Sequence, residues 1–198
     1  MKYTSLSLTR YLAELSSNKP IPGGGSVSAY VASLGMGLAE MAAQIGLKKV
    51  ASEGKPEVQK AIKLLRKAKK DALQVVDLDP KVYQAVMKAY TKARNIEDAA
   101  KKNRMIDEAL ENSFRLQADL ALLVSLARRA TESLLNCIKG SIQNDLKVSL
   151  AILEAAFQGA YDTARINVVY LKDPKKKRRA EQALKELKKQ FEPLHAGN

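Results

Sequence analysis

The chain has 198 residues, with 34 Lys and Arg against 21 Asp and Glu, for a formal charge of +13. That size suits one domain, and the charge implies an anionic partner: nucleic acid, an anionic membrane or a small polyanionic substrate. With 46% apolar residues a core is affordable and intrinsic disorder is excluded, while one cysteine, Cys137, and one histidine, His195, rule out an internal disulfide and a His/Cys metal cluster. A Ser-His-Asp triad would have to recruit His195 from the tail, so catalysis is expected to rest on carboxylates, lysines, tyrosines or backbone groups, with no metal. The opening MKYTSLSLTRYLAELSSN lacks the charged-then-apolar order of a signal peptide, and the expected location is cytoplasmic.

Helical periodicity runs through nearly the whole chain and no strand-like alternation stands out. A first helix is expected from about Ser5 to Ser17, with Leu8, Leu12 and Leu15 on one face. Asn18 to Gly25, NKPIPGGG, must then be a loop. A second helix, Ser26 to Gly46, is built of small residues. Its apolar length is that of a membrane span, but Glu40 and Gln44 lie within it and no second span follows. Its Ser28, Ala32, Gly35 and Ala39 instead permit close approach of another helix, in a bundle or at a dimer seam.

Val58, Ile62, Leu65, Ala68, Ala72 and Val75 mark a third helical region, in which Asp79-Pro80 predicts a kink or a restart with Asp79 as N-cap. Ile96 to Ile138 contains no Pro or Gly and reads as one long helix or two end to end, stopped at Gly140. Asp145 to Leu171 reads as a further helix, and Asp173-Pro174 opens a last amphipathic one to Phe191. The expectation is an all-α, single-domain bundle of six to seven helices over residues 1–198, with 174–198 as a basic C-terminal helix and tail.

Four features could carry chemistry. Gly23-Gly24-Gly25-Ser26 leads into a helix whose positive end favours an anion, or else forms a tight loop that lets two helices cross. Asp77 and Asp79 could raise one another's pKa to serve as general base or acid, or Asp79 could simply cap a helix. Asn144-Asp145 opens a helix that also carries Asn167 in the apolar run ARINVVYL, where it must face a polar site or bond a neighbouring helix. The block KDPKKKRRAEQALKELKK could bind nucleic acid but reads better as a solvated helix face, and three Phe with no Trp offer few stacking platforms for bases. Cys137 reads as a core residue.

Together the segments KPIPGGGSVSAYVASLGMGLAEMAAQIGLKK, VVDLDPKVYQAVMKAY and NDLKVSLAILEAAFQGAYDTARINVVYLKD resemble the cyclodeaminase/cyclohydrolase family. That family comprises the cyclodeaminase domain of formiminotransferase-cyclodeaminase and the stand-alone methenyltetrahydrofolate cyclohydrolases. The resemblance implies an all-α homodimer that binds a tetrahydrofolate derivative and needs no other cofactor and no metal. It implies chemistry at the N5/N10 one-carbon unit: closure of 5-formiminotetrahydrofolate with loss of ammonia, or hydrolysis of 5,10-methenyltetrahydrofolate. By the same resemblance Asp79 is the proton acceptor with Asp77 tuning it, and Gly23, Gly24, Gly25, Ser26 and Tyr83 line the substrate. Lys48 and Lys49 are then expected to meet its carboxylates, and Asn144, Asp145 and Asn167 to hold the pterin or the partner subunit. A separate formiminotransferase chain is a further implied partner; membrane and nucleic acid are not. The chain departs from the family pattern in the shortened GSIQND, in Gln117 where a proline is usual, and in Thr163 where an asparagine is usual. The other class of function is a non-catalytic basic helical protein that binds folate or nucleic acid.

Overall fold

A computed structural model of the chain describes residues 2–191; His195 lies outside them. The described residues form six α-helices and no strand: α1 (Leu8–Leu15), α2 (Gly24–Leu47), α3 (Lys55–Ala93), α4 (Ala99–Cys137), α5 (Gln143–Tyr170) and α6 (Pro174–Phe191). The first helix starts later than its apolar pattern suggests, because Tyr3–Ser5 winds into a 3-10 turn and Ser7 then caps α1 by accepting the Arg10 N–H. Asp98 likewise caps α4, and Asp173 caps α6 by accepting from Lys175 and Lys176. Asp145 lies in the first turn of α5 rather than at its cap.

Helices α2, α3, α4 and α5 pack in a ring, each on the next and α5 back on α2, while α6 covers α4 and α5. Cross-contacts give the directions. Ser26 meets Val76 and Glu40 meets Arg66, so α2 and α3 are antiparallel. Gly24 approaches Thr163, Ser28 approaches Gly159, and Gly35 accepts the Ser149 hydroxyl, so α2 and α5 are antiparallel too. The small residues of α2 serve the bundle interior: Ala32 and Ala39 are fully buried, and a Cβ at Gly35 would stand 3.0–3.1 Å from Ile152 and Leu153. Two acids are buried in the first two helices: Glu14 in α1, paired with Arg10 and Lys19, and Glu40 in α2, paired with Arg66 and Lys69. Among the described residues no helix is long and apolar enough to cross a membrane.

The expected restart at Asp79-Pro80 does not occur; α3 runs through Pro80 as one helix. An interior proline supplies no N–H to the carbonyl four residues back, here Val76, and leaves an orphan acceptor. The Ser26 hydroxyl donates to that carbonyl at 2.9 Å, from a residue with no exposed surface. Its one proton is thereby used, so the Tyr11 hydroxyl 3.3 Å away donates to Ser26 Oγ. The helix survives its proline because the start of α2 replaces the missing bond.

Removing the Ser26 hydroxyl leaves a buried carbonyl unpaired, so Ser26→Ala is expected to cost about 2 kcal/mol. In a Pro80→Ala background the new N–H can take that carbonyl, and the cost of Ser26→Ala should fall by at least half. Denaturant unfolding of the four proteins measures this coupling; equal costs in both backgrounds would show that Ser26 does not serve the proline.

Candidate active site

The start of α2, the C-terminal part of α3, the N-terminal part of α4 and the end of α5 enclose a cleft of about 890 Å³. Its character changes along its length. At the inner end lie Gly23, Gly24, Gly25, Asp79 and Thr163; Tyr83, Met87, Ile106, Leu110, Ile166 and Asn167 form the middle; Tyr90, Tyr170, Arg94, Lys102 and Lys172 close the outer end. Asp79 and Arg94 are fifteen positions apart along one face of α3, a span of about 22 Å. None of the three outer cations is ion-paired among the described residues.

Asp79 is held from two sides. Its Oδ2 accepts the Ser26 N–H at 3.1 Å and its Oδ1 accepts the Gln117 side-chain amide at 2.7 Å. A helix usually caps its first N–H groups with the side chain of its N-cap residue. The N-cap of α2 is Gly23, which has none, and Asp79 does the work from another helix. The expected capping role is therefore real, but the helix capped is α2. Gly25 is required at this junction: a Cβ there would fall 2.2 Å from both Asp79 Oδ1 and Gln117 Nε2. Gly24 has ordinary room, its Cβ position lying 3.6 Å from Thr163 Oγ1. The N–H groups of Gly24 and Gly25, in the first turn, have no intrahelical acceptor. Burial pushes the Asp79 carboxyl above the usual range, against the lowering effect of the Gln117 and Ser26 hydrogen bonds.

Residues 7–186 of the chain match the family described as formiminotransferase-cyclodeaminase. The chain belongs to that family. Relatives include the formimidoyltransferase-cyclodeaminases of Mus musculus, 28% identical over 169 residues, and of Gallus gallus, 27% identical over 168; each match covers 84% of this chain. The chain spans 31% of the length of these relatives. In fold it is similar to the crystal structure of formiminotetrahydrofolate cyclodeaminase from Thermotoga maritima, with a TM-score of 0.85 at 23% identity over 95% of this chain and 91% of that one.

Within this family frame, the cleft collects Gly23, Gly24, Gly25, Asp79, Tyr83 and Asn167, and Ser26 holds Asp79 from behind. Asn167 donates to the Thr163 carbonyl at 2.7 Å, which leaves its amide oxygen for the cleft. Five other expected residues do not reach it. Asp77 lies two positions from Asp79, on another face of α3, and accepts the N–H groups of Tyr3 and Thr4 and the Thr4 hydroxyl. It pins the N-terminal turn and does not tune Asp79. Lys48 and Lys49 follow α2, whose 24 residues put them about 35 Å from its start. Asn144 and Asp145 open α5, about 28 Å from Thr163 along the same helix. Both pairs sit at the opposite end of the bundle because α2 and α5 run antiparallel along its whole height. The cations that do reach the cleft, Arg94, Lys102 and Lys172, belong to three separate elements. The recurrence of Asp79, Tyr83, Val86, Tyr90 and Arg94 on one face of α3 was the available signal.

The basic block is a solvated face of α6, seated by Ala180, Leu184 and Leu187, with Lys176 paired to Glu111. Cys137 is partly buried and packs against the core rather than within it, and burial and the nearby Glu57 carboxylate raise its thiol.

Because the folded chain binds the Asp79 proton more tightly than the unfolded chain does, wild-type stability falls as pH rises from the ordinary carboxylate range through the raised folded value. Asp79→Asn has no such loss and should fold, with its amide oxygen accepting Ser26 N–H and its NH₂ meeting a turned Gln117. Unfolding midpoints of both proteins from about pH 4 to about pH 7 should diverge in favour of Asp79→Asn as pH rises; parallel profiles would contradict a raised carboxyl.

Proposed function

We propose that the chain is a folate one-carbon enzyme, working on the N5/N10 unit of a tetrahydrofolate derivative as a methenyltetrahydrofolate cyclohydrolase or a formiminotetrahydrofolate cyclodeaminase. The observation that carries the reading is the graded cleft: one half-buried carboxylate at the inner end, an aromatic and apolar middle, and cations without an ion pair among the described residues about 22 Å away along α3. A folate has the matching order, with its reactive heterocycle at one end, an aromatic ring between and carboxylates at the other. Family membership supports the same substrate class.

In this reading Asp79 accepts and returns one proton. In the hydrolytic direction water adds to the methenyl carbon and gives one proton to Asp79, which passes it to N5 as the carbon–N5 bond breaks; the remaining hydroxyl proton leaves to solvent as the formyl carbonyl forms on N10. In the deaminating direction N10 attacks the carbon of the protonated formimino group, Asp79 takes the N10 proton and passes it to the resulting amino group, which departs as ammonia. Both routes go through a tetrahedral carbon between two nitrogens. A carboxyl raised by burial is matched to such a shuttle near neutral pH. The positively charged methenyl bridge also gains from a carboxylate beside it. Gly24 and Gly25 N–H groups donate to acceptor atoms of the heterocycle, Tyr83 and Ile166 sandwich the middle, and Arg94, Lys102 and Lys172 receive the carboxylates. The proposal includes a homodimer in the cytoplasm, no cofactor beyond the folate substrate and no metal. In the deaminating direction it includes a formiminotransferase chain that supplies the substrate.

Purified protein is expected to bleach the methenyl absorbance of 5,10-methenyltetrahydrofolate, or to generate it from 5-formiminotetrahydrofolate with release of ammonia. Asp79→Asn should lose about 10²–10⁴-fold in kcat, and full activity in that folded variant would refute the shuttle. Lys102→Ala and Lys172→Ala should each raise KM about three- to tenfold with kcat unchanged, an effect that fades with added salt. Unchanged KM in both would remove the outer cations from the substrate site.

A further inference from the structure

Gln117 has no exposed surface, sits on α4 behind Asp79 and does not line the cleft. Its amide nitrogen is spent on Asp79 Oδ1 at 2.7 Å, and its amide oxygen is buried without a hydrogen-bond partner among the described residues. An unpaired buried carbonyl costs about 1–3 kcal/mol, and a methionine or leucine would fill the same space without it. The amide is useful here because its two ends interchange by a half-turn about a soft terminal torsion. Facing an ionised Asp79 it presents the NH₂. Facing a neutral Asp79 it presents the oxygen, which then accepts the acid proton and is no longer orphaned.

We propose that Gln117 is the positioning residue of Asp79, an amide that donates to the carboxylate and, turned over, accepts from the carboxylic acid, so that Asp79 keeps one orientation through a complete proton cycle. Nothing else around Asp79 can do this. Ser26 N–H of α2 only donates, Tyr11 of α1 reaches the carboxyl only through Ser26, and Thr163 of α5 lies across Gly24 with its hydroxyl given to the Gly159 carbonyl. No Lys, Arg, His, Asp or Glu faces the carboxyl from these helices, and Asp77 on its own helix is turned to Tyr3 and Thr4. The close fit at Gly25 keeps the three partners in register. The inference rests on Asp79 as the proton shuttle, but its test does not need turnover.

The test is the titration of the Asp79 carboxyl by ¹³C NMR in protein labelled at aspartate carboxyls, the signal being assigned by its loss in Asp79→Asn. Gln117→Met keeps the volume and removes both amide functions; because the bond to the carboxylate is the stronger of the two it loses, the Asp79 midpoint should move up by about one pH unit. Gln117→Glu places a second carboxyl on the first, and the single titration should split into two steps. If the protein turns over folate, the acid limb of kcat/KM should move up in parallel in Gln117→Met. A role in packing alone predicts a Gln117→Met midpoint equal to wild type, and that result overturns the proposal. A shifted midpoint in a protein that converts neither folate substrate would uphold Gln117 and reject the enzymatic reading instead.

Discussion

The bond from the Ser26 hydroxyl to the Val76 carbonyl is the constraint on which both the fold and the site depend. Pro80 would ordinarily break a helix, at a cost of about 3 kcal/mol or more. Here the acceptor it leaves open becomes the docking point for the first turn of another helix. Val76 and Asp79 are three residues apart, on one face of α3, so the residue that fills the carbonyl also presents its N–H to the carboxylate. Sequence placed a proline beside an acid; helix geometry turned that pair into a socket for Ser26. The glycines before Ser26 then follow as necessities of close approach, since Gly25 must clear Asp79 and Gln117.

A carboxylate lies near each end of helix α2, the buried Glu40 of α2 itself and the half-buried Asp79 of α3, and their surroundings push their pKa values in opposite directions. Glu40 is also pushed up by burial, but Lys69 and Arg66 outweigh this and hold it below the usual range. Its contribution to stability is present above the ordinary carboxylate range and is lost as pH falls through its depressed value. Asp79 has neutral donors only, and burial wins. An acid locked to two cations cannot trade protons near neutral pH, whereas one held by an amide and a backbone N–H can. This contrast separates an acid fixed by ion pairs from one held only by neutral donors, without appeal to position in the sequence.

The all-α class, the terminal helices and the inward-facing small residues of α2 were legible because helical period and capping act locally. The inner end of the cleft was legible as well, since PGGGS and Asp79-x-x-x-Tyr83 each lie within a turn or two of the site. Lys48, Lys49, Asn144 and Asp145 lie away from this cleft for one reason: the motif blocks are as long as whole helices, so one end of a block borders the cleft and the other lies on the far side of the bundle. Asp77 failed because two positions along a helix turn a side chain to another face. Gln117 was visible only as a departure from the family pattern. Its meaning depended on which helix it faced, and that is a tertiary fact.

The cleft itself follows from unequal helix lengths. α2 has 24 residues, whereas α3 and α4 have 39 each. Because α2 begins opposite Val76 and Asp79, α3 runs on past it to Ala93, an overhang of about 21 Å. Over that stretch α3 and α4 continue as walls, α5 adds a shorter third wall that ends at Tyr170 about 10 Å past Thr163, and among the described residues no helix takes the fourth position of the ring. The Pro and Gly of Pro20 to Gly25 prevent α2 from extending backwards to fill it. The exposed apolar side chains Met87, Ile166 and Tyr170 are the core positions of that unfilled stretch. A ligand that enters replaces the missing helix: apolar along its middle, met by a carboxylate where α2 starts, and by cations where the overhang ends. The length of the ligand that fits is therefore set by the residue at which α2 is made to begin.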